Sequence, residues 1–216
     1  NSIEKISWKN EILPMQKKVA LVLVANYIFY FTPTLIIFPY DEINAGKVGL
    51  SIVVISSLLG LSTSYFQSKI YIFTNYFNQK NFQVANHVFL KSLVISQLIF
   101  VILSILFIVI YIYLLPDFIR DRLIDLKNLV LLFFNFFLMN NIYLFSYLFR
   151  LSKKEKFSII YFVTVIVMLL MQVGLVDFNA VKSILYAQSF IFLLPFIYSL
   201  LLIQRIHLGK NIYDYR

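Results

Sequence analysis

Cysteine is missing from all 216 residues, so neither a disulfide framework nor a thiolate metal site can be built, and the redox compartment leaves no trace. Charge is scarce too. Charged residues are 13% of the chain, about half the share usual in a soluble domain, and they are confined to short clusters between apolar runs. Only two histidines occur, His87 and His207, 120 positions apart. No metal pair, nucleophile triad or phosphate-cradling glycine loop can be assembled from this inventory, so no catalytic residue, metal or cofactor is expected. No basic stretch is longer than the SKKEK of Ser152 to Lys156, which argues against nucleic acid as a partner. The first residues, NSIEKISWKNEILPMQKK, hold no hydrophobic signal core.

What is abundant is apolar: 61% of residues are hydrophobic and the mean hydropathy is +0.83. Six runs have the length of a bilayer helix: about 17–38, 48–68, 90–115, 129–149, 157–176 and 180–204. Continuous stretches such as VILSILFIVIYIYLL do not alternate as barrel strands must. The expected fold class is an all-α integral membrane protein, a bundle of six transmembrane helices forming a single unit over 1–216.

Basic residues give the expected orientation. Lys5, Lys9, Lys17 and Lys18, then Lys69, Lys80 and Lys91, then Arg150, Lys153, Lys154 and Lys156, and last Arg205, Lys210 and Arg216 fall on one side of a six-span chain. Lys47, Arg120, Arg122, Lys127 and Lys182 fall on the other. Fourteen against five, in alternation, predicts both ends of this segment in the cytoplasm. Between spans two and three, helix end, turn around Asn78 to Asn81 and a new helix near Phe82 are expected, with aromatics at headgroup level. Between spans three and four, PDFIRDRLIDLK predicts a short amphipathic helix whose Asp117, Asp121 and Asp125 form a solvated stripe. Carboxylates on three successive turns spread over ~12 Å and cannot share one ion.

Inside the spans the polar groups are amides and hydroxyls, among them Asn26, Gln67, Gln97, Asn135, Asn140, Asn141, Gln172 and Gln188 and a run of serines after Ser56. An amide facing lipid is costly, so these groups face other helices or a wet cavity. Interhelical hydrogen bonds are one reading, at about 0.6 kcal/mol per pair. A polar path lined by spans one, two and four, through Asn26, Gln67, Asn135 and Asn140, is the other. Pro33 and Pro195 lie within the first and last spans and remove a backbone hydrogen bond each, as static curvature or as points of bending.

The stretch FPYDEINAGKVGLS, Phe38 to Ser51, reads as a tight turn in which Pro39 closes one span, Gly46 and Gly49 open the next, and Asp41 and Glu42 are solvated. Together with Trp8 to Gln16 (WKNEILPMQ), Thr32-Pro33 and the serine-rich helix to Tyr65, it resembles the opening of the second half of bacterial polysaccharide flippases. These are the O-antigen and capsule exporters of the multidrug/oligosaccharidyl-lipid/polysaccharide exporter superfamily. The likeness covers residues 8 to 70. It departs from the family pattern where a Gly-Tyr pair is common and this chain has Asn26-Tyr27.

The resemblance implies the C-terminal six-helix lobe of a two-lobe exporter, with an N-terminal lobe of the same protein as partner. It implies a place in the bacterial plasma (inner) membrane and the movement of a polyprenyl-pyrophosphate-linked oligosaccharide from the cytoplasmic to the outer leaflet by alternating access. With no cation in mid-membrane, contacts to the pyrophosphate are expected from Lys17, Lys18 and Lys69 or from the other lobe. The start at Asn1 is expected to be that of a fragment. A non-transporting scaffold or accessory subunit is the alternative, and a glycan polymerase would need a charged outer loop longer than the dozen or so residues present.

Overall fold

A computed structural model describes Trp8 and residues 13–151, 156–175 and 180–207. Lys5, Lys9, Lys153, Lys154, Lys210 and Arg216 lie outside the described residues, as do the side chains of Arg150, Lys156, Arg205 and His207. Among the described residues seven helices follow in order: α1 Leu13–Ile37, α2 Glu42–Asn78, α3 Phe82–Tyr113, α4 Asp117–Arg120, α5 Leu126–Leu151, α6 Lys156–Leu175 and α7 Ala180–His207. All but α4 are long and apolar enough to cross a membrane, which makes the chain an all-α multi-pass membrane bundle.

The elements start and stop where local chemistry requires. After α1 ends at Ile37, Asp41 adopts an extended backbone and caps α2, its carboxylate accepting from the Asn44 backbone N–H at 2.9 Å and from the Asn44 amide at 2.6 Å. The Asp41 carboxylate is therefore more than a solvated charge. These bonds, the backbone one first, hold its pKa below the ordinary 3.8. At the far end of α2 the Lys80 N–H bonds the Phe77 carbonyl and the Asn81 N–H bonds the Tyr76 carbonyl, with Lys80 left-handed at φ 59°. This is a Schellman closure with lysine where glycine is usual.

Three expectations change. First, helix α2 begins at Glu42, ahead of the span expected from 48, and runs 37 residues to Asn78, while its end and the start of α3 at Phe82 fall where the turn was expected. At 1.5 Å per residue α2 is ~55 Å long, against ~30 Å of hydrocarbon. Hydropathy marks the part that crosses lipid, and capping marks where the helix ends. Second, Gly46 and Gly49 lie inside α2 rather than at its opening; a methyl at Gly49 would make ordinary contact with Thr34 Oγ1 of α1 at 3.4 Å, and Gly46 has open space. Third, the aspartate-striped helix does not form. Helix α4 has only four residues, because Leu123 and Ile124 turn inward and are buried. There the Ile124 N–H bonds Ser51 Oγ of α2 and the Ile124 carbonyl accepts from Tyr111 of α3, both at 3.2 Å.

Helix α5 is the central column. Its spanning window is 72% buried, against 28% for α3 and for α6, and it packs on α2, α3, α6 and α7. Phe133 meets Phe100 and Phe107 of α3, and Phe136 meets Phe29 and Tyr30 of α1. Such ring pairs contribute about 0.5–1.5 kcal/mol each beyond area burial. Phe29 also packs edge-on against Phe192 of α7 at 5.3 Å. Pro33 and Pro195 sit four and three residues beyond these two rings, inside unbroken helices.

Candidate functional site

The outward face of most helices is aliphatic and aromatic; on α3 it runs Val94, Leu98, Val101, Ile102, Ile105 and Val109. Helix α2 differs. Its exposed positions in mid-span include Ser57, Gly60, Ser64, Gln67 and Ser68, recurring every three or four residues and so forming one stripe. The serines satisfy their own hydroxyls by bonding carbonyls a turn back, Ser57 to Val53 and Ser64 to Leu61. That keeps the stripe from unravelling the helix, yet it leaves a polar, small-residue surface at membrane depth.

Beside this stripe lies a cavity of about 190 Å³. Helix α2 lines it with Ser56, Leu59, Gly60, Thr63 and Gln67, α1 with Asn26 and Tyr30, and α5 with Met139 and Tyr143. Each set has one-face helical spacing, so three helices each turn one strip of side chains toward the same space. Asn26 is held in place from behind: Tyr161 of α6 donates to its Oδ1 at 2.6 Å. The Tyr143 hydroxyl is paired with Tyr147 at 2.8 Å. The lining sets amides, hydroxyls and aromatic rings beside the apolar Leu59 and Met139, without a charged side chain.

Of the residues expected on the path, the structure brings Asn26 and Gln67 together here. Helix α5 contributes Met139 and Tyr143 to the lining, and Asn135 and Asn140 lie elsewhere. Asn135 is fully buried in a clasp to α7, where its Nδ2 donates to the Leu185 carbonyl at 3.0 Å and to Gln188 Oε1 at 3.1 Å. Ser189 donates to Asn135 Oδ1 at 2.6 Å, which closes the cluster. Asn140 is fully buried with neither amide atom bonded. Asn141 bonds only the Phe137 carbonyl of its own helix.

The three lysines lie toward the α2–α3 turn end of the bundle. Lys69 follows Gln67 by two residues, ~3 Å of helix rise, and Lys18 precedes Asn26 by eight, ~12 Å. The Lys69 ammonium sits 5.7 Å from the Tyr65 ring centroid, within cation–π range. Sequence reasoning missed Tyr30, Tyr143 and Tyr161, because tyrosine in a span counts as apolar. The four-residue step from Asn26 to Tyr30 was the one available signal.

No family model, no curated protein and no solved structure matches the chain.

Proposed function

We propose that this chain is one lobe of a polysaccharide flippase, and that it helps carry a lipid-linked oligosaccharide from the cytoplasmic to the outer leaflet of a bacterial inner membrane by alternating access, without catalysing a covalent step. The observation that carries this reading is the uncharged cavity at membrane depth in which Asn26, Thr63, Gln67 and two tyrosines place polar groups on an otherwise apolar wall. Amides and hydroxyls that offer both donors and acceptors, beside aromatic rings, suit a neutral polyhydroxylated group. At about 190 Å³ it is below the ~300–1,000 Å³ of a self-contained ligand pocket, as expected of one wall of a cleft. The polar stripe of α2 supports the same geometry: it would face the second lobe across that cleft, with the sugars between. In this arrangement both ends of the segment are cytoplasmic, and Lys17, Lys18 and Lys69 stand where the pyrophosphate would enter.

The test is rescue of surface glycan in a flippase-deficient strain by the two-lobe protein, with and without Asn26→Leu and Gln67→Leu. Rescue by the parent and its loss in the variants at equal expression supports the reading; failure of the well-expressed parent across several matched glycan pathways removes it. The α2 stripe also favours a second reading, a scaffold that docks a partner helix there. In that case Ser57→Leu and Ser64→Leu would release a membrane partner, and no glycan phenotype would follow.

A further inference from the structure

Two unbonded amides point into the seam between α3 and α5. Gln97 of α3 is 7% exposed and Asn140 of α5 is 0% exposed, and none of their four side-chain nitrogen and oxygen atoms has a hydrogen-bond partner. Their direction follows from their neighbours. Asn140 lies seven residues from both Phe133 and Tyr147, on the α5 strip that packs Phe133 on Phe100 and Phe107 of α3 and Tyr147 on Phe66 of α2. Gln97 stands one turn before Phe100. The antiparallel register set by Phe100 with Phe133 and Phe89 with Phe145 brings the two amides to within about one turn of each other. The neighbouring polar contact is already made, since Ser96 Oγ donates to the Ser62 carbonyl of α2 at 2.9 Å.

An unbonded amide in a membrane interior costs several kcal/mol, and two within about one turn of each other along one seam call for a shared ligand. We propose that Gln97 and Asn140 bind buried water between α2, α3 and α5, at membrane depth and apart from the α1–α2–α5 cavity. A water bridging two amides donates to their carbonyl oxygens and accepts from an NH₂, which meets the two to four partners a buried water requires. The ligand is water rather than a metal cation because no carboxylate lines these strips of α3 and α5.

The near-isosteric variants Gln97→Met and Asn140→Leu and their double test this, read as thermal midpoints of the full chain in nanodiscs. With a shared water each single change lowers the midpoint, by stranding the other amide, and the double recovers part of the loss. Single changes that raise the midpoint and add independently would mean empty amides and would overturn the proposal. X-ray hydroxyl-radical footprinting gives a second readout in the unmutated chain: oxidation at buried Phe100 and Phe133 is expected, and its absence counts against bound water. A midpoint that rises with sodium but not with choline, only while both amides are present, would replace water with a cation and equally overturn the proposal.

Discussion

Tyr161 of α6 donates its hydroxyl to Asn26 of α1 at 2.6 Å, so an aromatic on one helix holds the amide that another helix offers to the cavity. Removing the hydroxyl with Tyr161→Phe keeps the packing against Phe192. The stability loss is expected to stay small, about 0.6 and at most ~1.7 kcal/mol, since Asn26 is only partly buried. Glycan rescue is expected to fall by more than that loss explains, because Asn26 is no longer oriented. Thermal midpoints and rescue, compared at matched expression, check this.

Asn135 predicts the opposite balance. Asn135→Leu strands Gln188, itself 1% exposed, at a cost of about 1–3 kcal/mol. For a chain of this size that is a midpoint drop of roughly 2–4 °C per kcal/mol. The double Asn135→Leu with Gln188→Leu is expected to recover part of the drop, and a thermal double-mutant cycle measures it.

Lys80 occupies a left-handed position at the α2–α3 turn. Relief of that backbone conformation is worth about 1–2 kcal/mol, and the freedom glycine adds to the unfolded chain offsets ~0.4–1 kcal/mol of it. Lys80→Gly is therefore expected to leave stability unchanged or slightly raised and to slow amide exchange at Asn81. Lys80→Val is expected to speed it.

Asp41 gives a pH prediction. Its folded pKa lies below the ordinary 3.8, so its capping contribution is present above that value and lost as pH falls through the lower folded pKa. Carbon-13 titration of the Asp41 carboxyl is expected to give a midpoint under 3.8. Asn44→Ala, which removes the side-chain bond alone, is expected to move it part of the way back.

The six-helix bundle was legible because hydrophobic run length is set by the bilayer, and the residues that make a run are contiguous. The turn at Asn78 to Asn81 was legible for a similar reason, since turn residues act locally. What escaped was long-range or carried by residues with two characters. Ile124 ended the expected aspartate helix because its backbone N–H and carbonyl bond Ser51 and Tyr111, and nothing within PDFIRDRLIDLK announces those partners. Asn135 and Asn26 are both amides in spans, yet one closes on α7 and the other lines a cavity. Only the phase of each helix against its neighbours decides which, and in a chain with helices apolar on most sides that phase is weakly written.

The absence of cysteine makes the central claim directly measurable. Gly60→Cys places one thiol at the cavity wall, where an added Cβ meets no neighbour within 4 Å, and Val163→Cys places one on the aliphatic outer face of α6. If α1, α2 and α5 line a wet substrate path, a membrane-impermeant thiol reagent labels the Gly60→Cys protein in the assembled two-lobe transporter, added lipid-linked oligosaccharide slows that labelling, and Val163→Cys stays unlabelled. Equal labelling at both positions, or labelling at Gly60→Cys that the oligosaccharide leaves unchanged, would contradict it.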